Sequence, residues 1–416
     1  MKNKNNNGLN NLKAKEDNSD YRTLKGEIEK ELTHYSKDIW DNKRIYSCTD
    51  NPYYSNFCVV FVERFKQYNL KSYTATCYCP TDEGGAFSGS GEDKDKAFLF
   101  RITKEDTYIL DKNCLKSDGI TYDYDKVLKF FPPTELRTDG NAINPLSRDV
   151  SYYLEECDIV VTNPPFKDLT KFIGNIRQFD KDFLLICNCQ NMGGLWRDIG
   201  SGKYYIRPLK ENKMYFTFPP RYLVDIFNKV SVGDPDFVGK YEISNDINEL
   251  YLYPVPYARW ITSLKTEKTP VKFEFDSTND YNYTKDTFIR VHNFKEECLF
   301  CVKLNEIPYN YKGFLAVPVN FIDYYNPDQF ELIGALDGNR GSIDVNLIKH
   351  YPPSEYRYKN SKREHSTKCF LNVKDIEKFR KEVDIEKGDA VVDKKTGDIY
   401  KFAYNRLIIR FKNEVK

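Results

Sequence analysis

Apolar positions in the first half of the chain recur with two spacings, one typical of helices and one of buried strands. Residues 57–68 repeat apolar side chains every three or four positions, which predicts an amphipathic helix. Residues 159–162 and 183–187 are short apolar runs that end abruptly, as buried strands do. The same patterns predict helices at 27–35, 151–156 and 169–179, and strands at 44–48 and 72–78. Strands and helices that alternate over short connections predict an α/β fold, with a parallel sheet covered by helices on both faces.

Polar stretches and a change of pattern divide the rest of the chain. Residues 1–19 are rich in Asn and Lys with almost no apolar content, so we expect a disordered or loose arm. Within an inserted segment, residues 79–135, the Gly-, Ser- and Asp-rich stretch 81–95 predicts a surface loop, and 98–131 predicts the strands of a hairpin or meander. Strand-like patterns dominate after about residue 200, at 203–220, 249–264, 291–304 and 314–323.

Composition narrows the class of protein. In 416 residues, 63 Lys and Arg balance 62 Asp and Glu, which excludes a uniformly basic nucleic-acid-coating protein but leaves room for a local basic groove. Eleven cysteines without a signal peptide predict reduced, buried thiols in a cytoplasmic protein. No apolar stretch approaches the length of a membrane span. Cys298 and Cys301, near His292, resemble half of a zinc site, but a second ligand pair is missing, so we expect no metal.

The segment Asn163-Pro164-Pro165-Phe166 carries the clearest chemistry, directly after the apolar run 159–162. Asn163 offers a side-chain carbonyl as acceptor. The prolines lack N–H donors, so backbone carbonyls can face a pocket, and Phe166 supplies an aromatic face for stacking. These groups suit methyl transfer to the amino group of a nucleobase or a carboxamide. The alternative is that the prolines merely end a buried strand and Phe166 packs in the core; the strand before and the helix predicted after them favour a site.

A second polar cluster follows the strand predicted at 44–48. Asp50 could accept hydrogen bonds from ribose hydroxyls or from an amino group, whereas Asn51 and Ser55 could instead cap the next helix. Because ligands of such sheets bind at the carboxyl ends of the strands, we expect Asp50 and Asn163 at one edge. The Gly-rich loop that usually opens a nucleotide-binding unit is missing, since the Gly-rich stretch 84–91 is not wedged between an apolar strand and a helix.

Three blocks of the chain together resemble the EcoRI-type DNA adenine-N6 methyltransferases. They are Asp20-Tyr-Arg-Thr23 with residues 27–35, Thr49-Asp-Asn-Pro-Tyr-Tyr-Ser-Asn-Phe57 with residues 70–78, and Asp158-Ile-Val-Val-Thr-Asn-Pro-Pro-Phe166 with residues 183–188. Residues 258–262, 309–321 and 330–334 are also similar. The resemblance implies a Rossmann-like S-adenosylmethionine-dependent methyltransferase sheet in a catalytic core, residues 20–200. It implies that residues 201–416 hold the remainder of the core sheet and a β-rich C-terminal target-recognition region.

The resemblance also implies the reaction and its residues. S-adenosyl-L-methionine would be the methyl donor and double-stranded DNA the substrate, with the target adenine flipped out of the duplex. Asn163 and the Pro164 carbonyl would accept hydrogen bonds from the adenine amino group, Pro165 would complete the segment, and Phe166 would stack on the base. The cofactor would be bound by Tyr21, Thr23, Asp50, Ser55, Phe57 and Asp139.

Two departures from the family pattern affect the predicted cofactor site. The family has Phe-Tyr-Thr near the N-terminus, where this chain has Tyr21-Arg22-Thr23, so Arg22 replaces an aromatic residue. The acidic element before the catalytic strand is split here by an insertion. Asp139 is therefore the candidate for the cofactor adenine contact, with Asp149 as its rival, and either could instead be an aspartate in a surface turn.

DNA binding by a chain of balanced charge has to rely on a focused basic surface. Arginine suits bidentate reading of guanine and contact with phosphates, although any single arginine could be a solvated surface charge. The candidates are Arg259, Trp260, Arg340, Arg406 and Arg410.

The leading hypothesis is a site-specific adenine-N6 DNA methyltransferase acting as a monomer. It would act in a restriction–modification system, beside a cognate endonuclease for the same site, or as an orphan enzyme. The alternatives are an amino methyltransferase acting on cytosine N4, RNA or protein glutamine, and an inactive DNA-binding relative.

Overall fold

The computed structural model describes two compact units. The first comprises the described residues of Met1–Asn188 and Leu209–Lys268, and the second those of Cys189–Pro208 and Thr269–Lys416. The described residues are 22–77, 97–136, 148–164, 166, 169–208, 213–217, 242–243, 251–265, 273–274, 288–309, 311–336, 347, 356–358, 364–365, 370–374, 376, 390–402 and 406–412. Residues 1–19 and 81–95, predicted as an arm and a loop, lie outside them.

Among the described residues, the α-helices lie between residues 25 and 200, whereas strands occur along the whole chain. The α-helices are α1 (Lys25–Leu32), α2 (Asn56–Glu63), α3 (Thr107–Asn113), α4 (Tyr124–Phe130), α5 (Arg148–Glu156), α6 (Leu169–Gln178) and α7 (Leu195–Gly200). Short 3-10 helices lie at Lys37–Ile39, Lys104–Asp106, Cys189–Asn191, Leu304–Glu306 and Val319–Tyr324.

The strands fall into two series along the chain. The first series is β1 (Arg22–Thr23), β2 (Arg44–Ser47), β3 (Ser72–Thr76), β4 (Ala97–Thr103), β5 (Thr134–Leu136), β6 (Ile159–Thr162), β7 (Asp182–Asn188), β8 (Tyr205–Arg207), β9 (Lys213–Thr217), β10 (Glu242–Ile243), β11 (Tyr251–Pro256) and β12 (Ala258–Thr262). The second series is β13 (Ile289–His292), β14 (Cys298–Phe300), β15 (Phe314–Pro318), β16 (Phe330–Leu336), β17 (Tyr356–Tyr358), β18 (Glu364–His365), β19 (Phe370–Asn372), β20 (Ala390–Asp393), β21 (Ile399–Phe402) and β22 (Arg406–Phe411).

The main sheet of the first unit contains the predicted strands in a mixed α/β arrangement. Within this unit its strand order is β5-β4-β3-β2-β6-β7-β12. The inner strands β3, β2, β6 and β7 are parallel, as predicted, because helical connections return the chain to the same end of the sheet. Strands β4, β5 and β12 pair antiparallel with their neighbours. Polar residues that follow β2 and β6 therefore lie at one edge of the sheet.

Helix α2 packs an almost wholly buried surface into the core of the first unit. Phe57, Val60 and Phe61 are at most 1% exposed. Trp40, 0% exposed, places its ring against Tyr68 at 5.8 Å and edge-on to Phe61 at 5.6 Å. Burial of each such side chain stabilises the fold by about 1.5–3 kcal/mol. The predicted helix at 57–68 thus exists, but it ends at Glu63 and continues as turns.

Glu63 is a buried carboxylate that ties α1 and the chain after α3 to helix α2. It is 8% exposed. Lys25 Nζ lies 2.6 Å from one of its oxygens, and Lys116 Nζ lies 2.7 Å from the other. Each carboxylate oxygen therefore has its own ammonium partner in a place where an unpaired charge would be strongly unfavourable.

The prediction of a hairpin or meander over residues 98–131 is wrong for most of that segment. Only β4 is a strand there, and α3 and α4 follow it. The reason is visible in the caps: Asp123 accepts a hydrogen bond from the Lys126 N–H and starts α4, and Thr103 starts a 3-10 turn that leads into α3. Tyr124 and Val127, three residues apart, turn the same face of α4 into the core.

Strands dominate the described part of the second unit, as its sequence predicts. Its large sheet has the order β16-β22-β15-β14-β13-β19-β21-β20-β17-β18. Strands β14 and β15 are parallel, whereas the other neighbouring strands of this sheet pair antiparallel. Strand β16 has a register shift between Leu332 and Gly334. The apolar core beneath it includes Ile289, Phe300, Phe314, Ala316, Leu336 and Ile408.

Three sequence expectations bear on the class of protein. Every cysteine in the described chain is a buried free thiol, which confirms the expectation of buried thiols there. Among the described helices, none has the length and apolar character needed to cross a membrane. The described residues bring no three His, Cys, Asp or Glu side chains together as a metal site would require.

Candidate active site

Asp50 is the centre of a buried polar cluster at the carboxyl end of β2. The residue is 7% exposed. Its backbone N–H donates to the Thr76 carbonyl at 3.0 Å. Ser55 Oγ donates to Asp50 Oδ1 at 2.6 Å, and Thr162 Oγ1 donates to Oδ2 at 2.5 Å. Burial raises the pKa of Asp50 to about 6, although these two hydrogen bonds favour the charged form and oppose the shift. At neutral pH the group is therefore a mostly ionised acceptor.

Ser55 both caps helix α2 and hydrogen-bonds to Asp50. It is the N-cap of α2, where its Oγ accepts from the Phe57 N–H at 3.1 Å, and the same hydroxyl donates to Asp50. Asn51 does not cap the helix: its Oδ1 accepts from the Tyr53 N–H at 2.9 Å and its Nδ2 donates to the Tyr54 hydroxyl at 2.8 Å. These bonds shape the turn that joins β2 to α2.

Asn163 and Pro164 continue directly from β6, the neighbour of β2. Asn163 is half-buried with its side-chain oxygen enclosed, and Pro164 is buried. Phe166 is half-buried and packs against the core of the first unit. Pro165 lies outside the described residues. The main-chain carbonyl oxygen of Asn163 lies 3.1 Å from Thr49 Oγ1, within hydrogen-bond distance, so the segment that begins at Asn163 is joined to the chain that precedes Asp50.

Strand β1 places Thr23 beside the start of α2. Asn56 Nδ2 donates to the Thr23 carbonyl at 2.7 Å, and Arg22 Nη2 donates to Asn56 Oδ1 at 3.4 Å. Thr23 is 4% exposed, and its hydroxyl has no hydrogen-bond partner among the residues that the structure describes. Two predicted cofactor residues, Thr23 and Ser55, are thus brought together by Asn56, the residue that follows Ser55. Tyr21 lies outside the described residues.

The structure does not support Arg259 and Trp260 as DNA contacts. They are 2% and 1% exposed, in strand β12. Arg259 Nη1 donates to the Ala258 carbonyl at 2.7 Å, and Trp260 meets Phe57 edge-on at 6.0 Å. The prediction fails because β12 pairs with β7 and is buried on both faces, so neither side chain can reach a nucleic acid in this structure. Phe57, predicted at the cofactor site, is 1% exposed and is part of the same core.

Arg406 and Arg410 lie on β22, and both side chains contact other residues of the second unit. Arg406 Nε donates to the Cys301 carbonyl at 3.2 Å, and its guanidinium lies 4.5 Å from the centre of the Phe300 ring. Arg410 Nη2 lies 2.6 Å from Glu331 Oε2. Its side chain remains 40% exposed, and the predicted contact with DNA stays a prediction for both arginines. Arg340 and Asp139 lie outside the described residues; the backbone of Asp149 is in α5.

The sequence reading missed Thr49 and Thr162. Their hydroxyl oxygens are 2.5 Å apart, and Thr162 is 0% exposed. Thr162 contacts the Asp50 carboxylate, and Thr49 contacts the main-chain carbonyl oxygen of Asn163, so the two hydroxyls together connect Asp50 to that carbonyl. A signal was present in the sequence, because each threonine directly precedes one of the two polar residues that end neighbouring parallel strands.

Comparison with known proteins places these residues in a family context. The family model of the adenine-specific methyltransferase EcoRI matches residues 9–412. The Type II methyltransferase M.EcoRI of Escherichia coli is 28% identical over 329 residues, 77% of this chain and 87% of that protein. M.MgeORF184P of Mycoplasma genitalium is 26% identical over 363 residues, 85% of this chain and 96% of that protein. M.MpnI of Mycoplasma pneumoniae is 24% identical over 351 residues, 83% of this chain and 91% of that protein. The two Mycoplasma proteins are also Type II methyltransferases. No solved structure gives a significant match to this chain.

Proposed function

The chain belongs to the EcoRI family of adenine-specific methyltransferases, and we propose that it methylates the N6 amino group of adenine in double-stranded DNA. The observation that carries the proposal is the hydrogen-bonded link between two sites. Thr162 donates to Asp50 and is directly followed by Asn163, so a donor-binding carboxylate and an amino-binding amide occupy adjacent strand ends. Ligands of parallel sheets bind at this edge.

S-adenosylmethionine is the proposed methyl donor, and the residues present fit it. It would supply a methyl group activated by a positively charged sulfonium. A carboxylate has about four lone-pair positions, and Asp50 uses two of them for Ser55 and Thr162, which leaves two for donors such as ribose hydroxyls. The buried Thr23 hydroxyl offers a further polar contact near Asn56. Tyr21 and Asp139 are proposed to complete this site, with Asp149 as the rival of Asp139.

Asn163, Pro164 and Phe166 are proposed to hold the adenine. The Asn163 side-chain carbonyl and the Pro164 carbonyl would accept from the two amino hydrogens and raise the electron density on the nitrogen, while Phe166 stacks on the base. An amino group inside a duplex is out of reach, so the base has to be flipped out. Much of the rate gain should come from alignment in a preorganised pocket.

The β-rich second unit is proposed to recognise the target, with Arg340, Arg406 and Arg410 as candidate contacts. An exposed arginine on a strand can contact phosphates or the edge of guanine. The names of the Type II relatives favour a role beside a restriction endonuclease for the same site. An enzyme that modifies one strand at a time can act as a monomer.

The test is transfer of label from S-adenosylmethionine to unmethylated genomic DNA by the wild type and by Asn163→Ala. We expect N6-methyladenine with the wild type and a loss of at least about a hundredfold in the variant, as when a preorganised polar contact is removed. Asn113→Ala removes a half-buried asparagine on α3 and should keep full activity. Label on cytosine N4, on RNA or on protein, or no label from a folded wild type, would overturn the proposal.

A further inference from the structure

We propose that Thr49 and Thr162 are positioning residues that transmit the state of the Asp50 site to the main chain of Asn163. The inference rests on the proposed function of these two sites. It starts from three contacts in series: Asp50 Oδ2 to Thr162 Oγ1 at 2.5 Å, Thr162 Oγ1 to Thr49 Oγ1 at 2.5 Å, and Thr49 Oγ1 to the Asn163 carbonyl at 3.1 Å. These are hereafter the threonine relay.

Hydrogen counting fixes the direction of the relay when Asp50 is ionised. A hydroxyl has one hydrogen to donate. The hydrogen of Thr162 goes to the carboxylate, so only Thr49 can donate across the contact between the two hydroxyls. Thr49 then has no hydrogen left for the Asn163 carbonyl, which is released from this contact.

The direction reverses when Asp50 is neutral. The carboxyl group then donates to Thr162, Thr162 donates to Thr49, and Thr49 donates to the Asn163 carbonyl. Both threonines keep the same neighbours, yet the carbonyl gains or loses a donor. Through the threonine relay, the charge state of Asp50 therefore determines whether the main-chain carbonyl of Asn163 receives a hydrogen bond.

The other titratable groups around Asp50 do not interfere with this reversal. In the described structure the titratable groups whose pKa is raised by the charge of Asp50 are Cys48, Cys58, Tyr73 and Tyr124, on β2, α2, β3 and α4 or directly after them. Burial raises the pKa of each, so all four stay neutral over the pH range in which Asp50 changes charge. Ser55 keeps its donor bond to the other carboxyl oxygen.

The expected consequence is an effect on turnover rather than on affinity for DNA. Thr162→Val and Thr49→Val keep the shape of the side chains but remove the hydroxyls. At saturating S-adenosylmethionine and DNA, we expect kcat to fall at least about tenfold in each, while KM for DNA changes less than about threefold. Thr162→Ser and Thr49→Ser retain the hydroxyl and should recover kcat to within about threefold of the wild type.

A double variant separates a relay from two independent packing defects. Because the two threonines act in one series of contacts, Thr49→Val combined with Thr162→Val should lower kcat no further than the more severe single variant. Independent defects would multiply. Thr262→Val is the matched control: this threonine is 0% exposed in the same sheet, and its hydroxyl donates to the Phe183 carbonyl at 2.8 Å. It should lower the melting temperature and leave kcat unchanged.

The pH profile of kcat gives a readout that packing alone would not change. The wild type should show an inflection on the acid side that reports Asp50 in the bound state, and the valine variants should show a much smaller one. A folded wild type that does not methylate DNA would overturn the proposed function, and this inference with it. An active wild type whose valine variants turn over at full rate, or whose serine variants fail to recover, would overturn the inference alone.

Discussion

Asp50 is expected to lower the stability of the ligand-free protein at neutral pH. Asp50→Asn should therefore make the chain more stable while weakening cofactor binding. The residue is 7% exposed, and the hydroxyls of Ser55 and Thr162 occupy only part of the hydrogen-bond acceptor capacity of its carboxylate. Functional groups of this kind are commonly kept in spite of their effect on stability. An asparagine keeps the size and one acceptor oxygen but carries no charge.

The magnitude follows from the pKa of Asp50, which burial raises to about 6 from an ordinary value of about 3.9. A raised pKa means that the folded state binds the proton more tightly than the unfolded state. The stabilising contribution of the neutral carboxyl is fully present below about pH 4 and is lost as pH rises through 6. Two pKa units correspond to about 3 kcal/mol, so between pH 4.5 and 8 the advantage of Asp50→Asn should grow by about 2 kcal/mol.

Urea denaturation of both proteins without ligand, at a series of pH values, measures this difference directly. Asp118→Asn provides a control of opposite sign. Hydrogen bonds from the Thr121 side chain and from the Thr121 and Ile120 N–H groups hold the pKa of Asp118 down at about 2. Its contribution is present above the unfolded pKa and is lost as pH falls toward 2, so that variant should be the less stable one at pH 8. An advantage of Asp50→Asn that stays constant across pH, or a variant less stable than the wild type at pH 8, would refute the reasoning.

Further substitutions test the packing of each unit. Gly200→Ala places a Cβ against the main-chain oxygen of Leu332 and should lower the free energy of unfolding by more than about 2 kcal/mol. Gly174→Ala lies in a helix with open space around the new Cβ and should raise the free energy of unfolding by about 0.5–1 kcal/mol. Chemical denaturation compares the two variants, and equal effects would contradict the clash at Gly200. Glu63→Gln leaves Lys25 and Lys116 without a counter-charge and should lower the free energy of unfolding by about 1–2 kcal/mol. The measurement is the melting temperature, which should fall. An unchanged melting temperature would show that the two ion pairs do not contribute to stability.

The parts of the fold that follow from local patterns were predictable, and the candidate site is among them. The strand predicted at 159–162 coincides with β6, because a β-branched apolar run that ends in Asn-Pro has few other structures open to it. Asp50 and Asn163 were expected at one edge of the sheet, and the hydrogen bond from Thr162 to Asp50 shows them there. Both expectations depend only on where strands end, which short stretches of sequence encode.

The wrong predictions concern features that local sequence does not determine. Arg259 and Trp260 have the composition of a DNA contact, but their strand is enclosed on both faces by tertiary packing, which a single segment does not reveal. The helices α3 and α4 were missed because aromatic and β-branched residues suggested strands, while their start signals, Thr103 and Asp123, are single residues. Context outweighed propensity in both cases.

The position of the threonine relay depends on the register of two strands that are far apart in sequence. Ile45 pairs with Ile159 and Tyr46 with Val160, and counting forward puts Thr49 opposite Asn163. A slip of one residue would turn Thr162 to the other face of the sheet and break its bond to Asp50. Neither strand specifies this alone, since the register results from side chains buried along both of them. The chemistry that we assign to Asp50 and Asn163 is therefore a property of the paired strands, and residues that maintain the pairing affect the reaction without contact with the substrate.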